Sequence, residues 1–230
     1  MLVNITPLYL SIILAGCCLI SCAAPGPGGN QQGVLLQTER QFAGLKRAYG
    51  EISLVGLEPF FRYLLARLAD SEELAGRPLK ISLLDSSELF AVSFPRGEVV
   101  LSKGLFLAMS GEGELAFVVA HELGHIFLDH FSNGIRDRKE REHQADIFAL
   151  SLLWKGGYDP RVASSTLMRS YVHFTTAGEQ SSTHPDITSR QLAIKEEIRK
   201  LKIPAIRSIE SRGFLEIRHR LGKGEYRVKK

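Results

Sequence analysis

The segment of this chain best suited to chemistry is His121-Glu122-Leu123-Gly124-His125. In a helix, positions i and i+4 lie one above the other on a single face. Two imidazoles at that spacing can reach one metal ion. Glu122 stands beside the first of them and can lean over the same site without binding the metal, where it would take a proton from a metal-bound water. Gly124 would let another element come close at this crowded turn. The residues before the motif, Leu115 to Ala120, are apolar nearly all round, which marks a buried helix. Two histidines and a glutamate in such a helix are costly unless paired, and a metal ion relieves that cost.

A third protein ligand would still leave one coordination position open for water. Glu142 is the candidate, in Glu142-His143-Gln144-Ala145-Asp146 at the start of the next helix. Asp146, one turn on, could accept the free N–H of a ligand histidine and set its tautomer. Ser182-Thr183-His184-Pro185, followed by Arg190, adds an imidazole held rigidly by its proline. His184 could donate to the oxyanion of a tetrahedral intermediate or occupy the open metal position. The cysteines, Cys17, Cys18 and Cys22, all precede the body of the chain. The body can therefore form no internal disulfide and must hold a metal through nitrogen and oxygen.

The elements that must position these groups are readable in outline. A chain of 230 residues, 44% hydrophobic and 23% charged, can build a real core as one compact domain with appendages. Apolar spacing predicts helices over residues 33–49 and 57–75, the latter with Pro59 in its first turn. A short helix capped by Ser102 runs to Met109, and the motif helix spans about 114–131. A further helix is entered through the charged stretch Asp137 to Glu142 and ends at Gly156-Gly157. Two more run from Pro160 to about Thr176 and from Ile187 to Leu201. Leu79 to Leu84 reads as a strand, and Leu89–Phe94 with Glu98–Leu101 flank Pro95-Arg96-Gly97 as a hairpin. Glu98–Leu101 is a candidate edge strand for an extended peptide. After Pro204 the chain turns basic and less regular, either a small strand pair or a frayed tail. The expected class is α+β, mostly helical, with a small sheet beside the motif helix.

The net charge of +4 is mild. The basic residues of the tail (Arg218, Arg220, Lys223, Arg227, Lys229 and Lys230) come without an aromatic stacking platform, so no nucleic-acid partner is expected. Leu8 to Ile20 is uncharged, and shorter than the ~20 residues that a helical bilayer crossing needs. It suits a secretory signal, with an uncleaved anchor helix as the alternative. Its end resembles a bacterial lipoprotein signal in two overlapping versions, Leu14-Ala15-Gly16-Cys17 and Leu19-Ile20-Ser21-Cys22. Cys22 is favoured as the lipidated residue, because Ala23 to Gln32 then reads as a flexible tether. With no Asp after either cysteine, the resemblance points to the outer membrane. The domain organisation expected is a signal over 1–21, a tether over 22–32, a catalytic domain over 33–203 and a basic C-terminal extension over 204–230.

The motifs jointly resemble the zinc metalloproteases that include the heat-shock membrane protease HtpX and the CAAX prenyl protease. That family shows H-E-x-x-H, then E-x-x-x-D on a following helix, then His-Pro with an arginine shortly after. Here these are residues 121–125, 142–146 and 184–190. Gly157-Tyr158-Asp159-Pro160 and the stretch from Phe90-Ala91 to Glu98-Val99 are also family-like. The resemblance implies a zincin-like fold and one zinc ion per chain, held by His121, His125 and Glu142. It implies Glu122 as base and proton shuttle, Asp146 as a support to a ligand histidine, and Arg190 as a supporting cation. His184 would be a transition-state donor or a reversible fourth ligand. This chain looks like the small lipid-anchored periplasmic branch, with unfolded or misassembled envelope polypeptides as substrates. The alternative is a latent zinc-binding chaperone or outer-membrane assembly factor on the same scaffold.

Overall fold

The computed structural model of the chain describes residues 31–68, 78–132, 137–168, 187–201 and 210–230. In chain order the elements are α1 (Gln31–Tyr49), β1 (Glu51–Ser53), α2 (Leu57–Leu68), β2 (Lys80–Leu84), β3 (Ala91–Ser93), β4 (Glu98–Ser102), α3 (Lys103–Ala108), α4 (Glu112–Phe127), α5 (Arg138–Lys155), α6 (Ile187–Lys200), α7 (Arg212–Gly222) and β5 (Arg227–Lys229). The architecture is α+β and mostly helical, with one small sheet, as expected. Among the described residues no helix is long and apolar enough to cross a membrane.

Local chemistry sets the element boundaries. Buried Ser102 closes β4 and opens α3: its Oγ accepts the Leu105 N–H at 3.1 Å and donates to the Glu88 carbonyl at 2.6 Å. Asp137 caps α5 by accepting the Lys139 N–H at 2.9 Å, and Ser211 caps α7 by accepting from Phe214 at 3.2 Å. Between β3 and β4, the Gly97 N–H donates to the Phe94 carbonyl at 3.0 Å. Gly97 has φ +104°, a left-handed value that a glycine adopts without strain.

The sheet order is β3-β4-β2-β1-β5, parallel between β2 and β4 and antiparallel elsewhere. This corrects one expectation. The strand Glu98–Leu101 is not an edge: β4 pairs with β2 on one side and β3 on the other. The edge beside the motif helix is β3, which packs against α4. The short strand β1 was not anticipated, since it buries only Ile52 of its three residues.

Helix α4 runs through the centre, with Leu115, Ala116, Val119, Ala120 and Leu123 all 0% exposed. The C-terminal residues, expected as a basic extension, complete the core. Phe214, Ile217 and Leu221 of α7 are buried in it, and β5 joins the sheet beside β1. Phe214 stacks on Phe106 at 5.5 Å between ring centroids and lies 6.2 Å from Phe60. Glu112 ties this helix to α4, accepting the Ser211 N–H at 2.8 Å and the Tyr158 hydroxyl at 2.5 Å. Removing the Phe214 ring leaves a cavity that three elements line. Phe214→Ala is expected to destabilise the fold by about 3–5 kcal/mol, read as a lower midpoint in urea unfolding. A loss below roughly 1 kcal/mol would show instead that α7 is an appendage.

Candidate metal centre

Helices α4 and α5 touch almost backbone to backbone at the site. A Cβ placed on Gly124 would lie 3.0 Å from the Ala145 Cα and 3.3 Å from its Cβ. This contact brings the outer turns of the two helices within reach of one another. From α4, His121 and His125 face each other with their Nε2 atoms 3.2 Å apart. From α5, Glu142 places Oε2 3.5 Å from His121 Nε2 and Oε1 3.8 Å from His125 Nε2. These three residues are a group that could hold a metal ion, with one ligand atom from each within 4.8 Å of the others. Ligand atoms bound to a single tetrahedral zinc at ~2.0–2.2 Å lie roughly 3.3 Å apart, so the donor set fits such an ion. The site is also deep. His125 is 1% exposed and Glu142 is 6% exposed.

The electrostatics fit a cation at the same point. Burial alone would lower the His121 pKa, but the Asp146 and Glu142 carboxylates outweigh it and hold it up at about 10. His125, buried and facing that charge, is pushed down to about 3. Burial would raise Glu142, yet its hydrogen bond to His121 and the Arg190 charge keep it well below the usual carboxylate range. The Asp146 and Glu142 carboxylates thus favour positive charge on the His121 side of the pair.

Asp146 lies one turn beyond Glu142, with Oδ1 2.9 Å from His121 Nδ1. Arg190 of α6 clamps it in bidentate fashion, donating from Nε to Oδ2 and from Nη2 to Oδ1, both at 2.7 Å. The same guanidinium reaches Glu142 Oε2 from Nη1 at 3.0 Å. Arg190 is therefore a buried counter-ion to two carboxylates at once.

Glu122, next to His121 on α4, is tied to β3. Its Oε2 accepts the Ser93 hydroxyl at 2.6 Å, and the Ser93 backbone also donates to the carboxylate. Burial raises the Glu122 pKa, with the His121 charge and the Ser93 hydrogen bonds opposing. Two side chains absent from the sequence-derived set thus touch the cluster. One is Ser93 on β3; a lone serine in a short apolar strand carries no signal. The other is His130, whose Nδ1 lies 2.9 Å from His125 Nδ1. Its position five residues past His125 was the available clue. His184 and both candidate lipidation residues, Cys17 and Cys22, lie outside the described residues.

A buried helix bearing two facing histidines, a glutamate held toward an edge strand, and an acidic partner on the next helix make up a site of the kind that the metallopeptidase resemblance implies. Comparison with known proteins gives the same class. Residues 61–137 match the family described as Peptidase family M48, and residues 113–208 match Peptidase U49. The chain is similar to mitochondrial metalloendopeptidase OMA1 of Arabidopsis thaliana, with 25% identity over 150 residues, covering 51% of this chain and 31% of that protein. It is similar to the beta-barrel assembly-enhancing protease of Escherichia coli strain K12, with 25% identity over 133 residues, covering 55% of this chain and 27% of that protein. The chain therefore spans less than a third of the length of these relatives. The family that its motifs resemble is that of the M48 metalloproteases.

Arg190→Met removes the shared counter-ion of two buried carboxylates. It is expected to cost about 3 kcal/mol in metal-free chemical unfolding, within the range for breaking a buried pair from one side. An unchanged unfolding midpoint would show that Asp146 and Glu142 do not depend on it.

Proposed function

We propose that this chain is a zinc-dependent endopeptidase in which His121, His125 and Glu142 hold one zinc ion and Glu122 is the general base. The observation that supports it most directly is the convergence of those three donors beside a buried glutamate on the same helix. The ion, when bound, would supply Lewis acidity toward a water and a peptide carbonyl. The remaining work falls to the chain. Glu122 accepts the proton released as the carbonyl is attacked and passes it to the leaving amine. Ser93, donating to Oε2, holds the carboxylate that takes up that proton. Asp146 holds the His121 ring by its Nδ1 face, and Arg190 balances the charge of Asp146 and Glu142. His184 is proposed as the oxyanion donor or a reversible fourth ligand.

Among the described residues β3 pairs only with β4, so its outer edge offers backbone groups to an extended peptide. Strand addition there would lay a scissile bond past Ser93 and toward Glu122, reading backbone more than side chains. Such a mode suits unfolded or misassembled polypeptides. A lipid anchor at Cys22, with Cys17 as the alternative, would tether the domain at the periplasmic face of the outer membrane. Similarity to a protease named for β-barrel assembly supports a place in the cell envelope and a quality-control role there.

The test is digestion of an unfolded polypeptide by the zinc-loaded chain beside Glu122→Gln, with bound zinc measured in both. Near one zinc per chain is expected in each, with cleavage in the variant reduced by roughly 10²–10⁴-fold. Equal cleavage by both, or none by the wild type with its zinc in place, would overturn the proposal.

A further inference from the structure

The two facing histidines of the metal centre are held in different ways. His121 has a carboxylate, Asp146, on its outer nitrogen. His125 has on its outer nitrogen another imidazole, that of His130. The chain end of α4 is shaped to bring it there. Past the cap residue Leu128, Asp129 takes φ +52°, a left-handed value more usual for glycine. The His130 N–H then donates to the His125 carbonyl at 3.0 Å and the Asp129 N–H to the Ile126 carbonyl at 3.3 Å. This pair of bonds is a Schellman closure. It folds the chain back so that the His130 ring meets the His125 ring edge to face, 5.0 Å between centroids.

From His130 a line of hydrogen bonds leads out to solvent. Its Nε2 lies 3.1 Å from Gln144 Oε1, and Gln144 Nε2 donates to Glu140 Oε1 at 2.7 Å. The direction of every bond in this line follows from its outer end. Glu140 is exposed, and its carboxylate can only accept. The Gln144 amide must therefore turn its NH₂ to Glu140 and its oxygen to His130; the opposite orientation would set oxygen against oxygen. His130 then donates from Nε2. At 1% exposure it is an imidazole with one proton, so its Nδ1 is a bare acceptor. His125 must supply the proton of the Nδ1–Nδ1 contact. That leaves His125 Nε2 unprotonated, and this is the atom that faces His121 and Glu142.

We infer that His130 is a positioning residue for the metal centre: relayed through Gln144 to Glu140, it fixes His125 as the Nδ1–H tautomer and presents Nε2 to the ion. One ligand histidine is thus oriented by a carboxylate and the other by a neutral relay. The consequence for metal affinity rests on the proposed ligand set. The tautomer itself is a property of the metal-free chain.

Two measurements test this. In the ¹⁵N-labelled, metal-free chain, long-range ¹H–¹⁵N correlations should show His125 protonated at Nδ1 and bare at Nε2, its signals identified by their loss in His125→Asn. In chelator competition, His130→Phe should bind zinc 10–100-fold more weakly than wild type. His130→Asn, whose amide oxygen can accept from His125, should recover most of that loss; a role confined to packing would not distinguish the two variants in this way. A proton on His125 Nε2, or undiminished zinc affinity in His130→Phe, would overturn the inference. Should His130→Phe fail to fold, the wild-type spectrum decides alone. Failure of the wild-type chain to bind zinc would sink the ligand assignment instead, and the tautomer would still be read without metal.

Discussion

Two imidazoles and two carboxylates, all but His121 buried, lie between α4 and α5, and keeping them there is the constraint to which the rest of the fold responds. Isolated charges in such a place would each carry a desolvation penalty of several kcal/mol. They are tolerable because each meets a partner on another element. Asp146 has His121 on one side and Arg190 on the other, and Glu142 shares the same guanidinium. Arg190 comes from α6, so a helix distant in the chain is recruited to neutralise the site. The charges that remain favour positive charge on the His121 side of the histidine pair. A metal centre and a stable interior are therefore demands on the same few side chains.

Backbone proximity is what makes that sharing possible. Helices usually pack with axes 8–10 Å apart, the distance depending on the side chains between them. At Gly124 there is no side chain, and Ala145 is the smallest residue that could face it while still favouring a helix. The reach of Glu142 across to two histidines depends on this contact, which lies next to His125 and one turn from His121 and Glu142. Where β3 packs on α4 the sheet serves in a different manner. β3 supplies Ser93 to Glu122 through both hydroxyl and backbone, so this carboxylate is fixed by a rigid strand rather than a loop. That strand also sits at the edge of the sheet.

Legibility of the chain from its residues follows the range of the interactions. The ligand candidates on α4 and α5 were readable because the four-residue spacing is local and the residue types are rare together. The hairpin of β3 and β4 and the Ser102 cap were readable for the same reason. What pairs with the far side of β4 was not, since the parallel contact with β2 joins strands whose order no local pattern encodes. The C-terminal helix was obscured by its composition. Arg212, Arg218 and Arg220 dominate its appearance, while its burial rests on Phe214, Ile217 and Leu221 alone. Arg190 was visible as a nearby cation, but its double engagement with Asp146 and Glu142 required the placement of α6.

His130 illustrates why the outer supports of such a site resist reading from residues alone. Its neighbour in sequence gives no hint of a left-handed turn, because Asp129 stands where glycine would announce one. Yet the turn is what converts a five-residue separation, which on a continuing helix would carry the ring away from His125, into direct contact of the two rings. The proton on His125 is then decided by Glu140, an exposed residue three side chains away that touches no ligand. A carboxylate acting through two neutral groups can set a tautomer without adding its full charge to the cluster, whereas Asp146 lies directly against His121 and adds its charge there. The two candidate ligand histidines thereby differ in electrostatic environment. This asymmetry is compatible with a site that already balances Glu142 and Asp146 against Arg190 and holds Glu122 buried beside them, where a further buried charge would add to the cost.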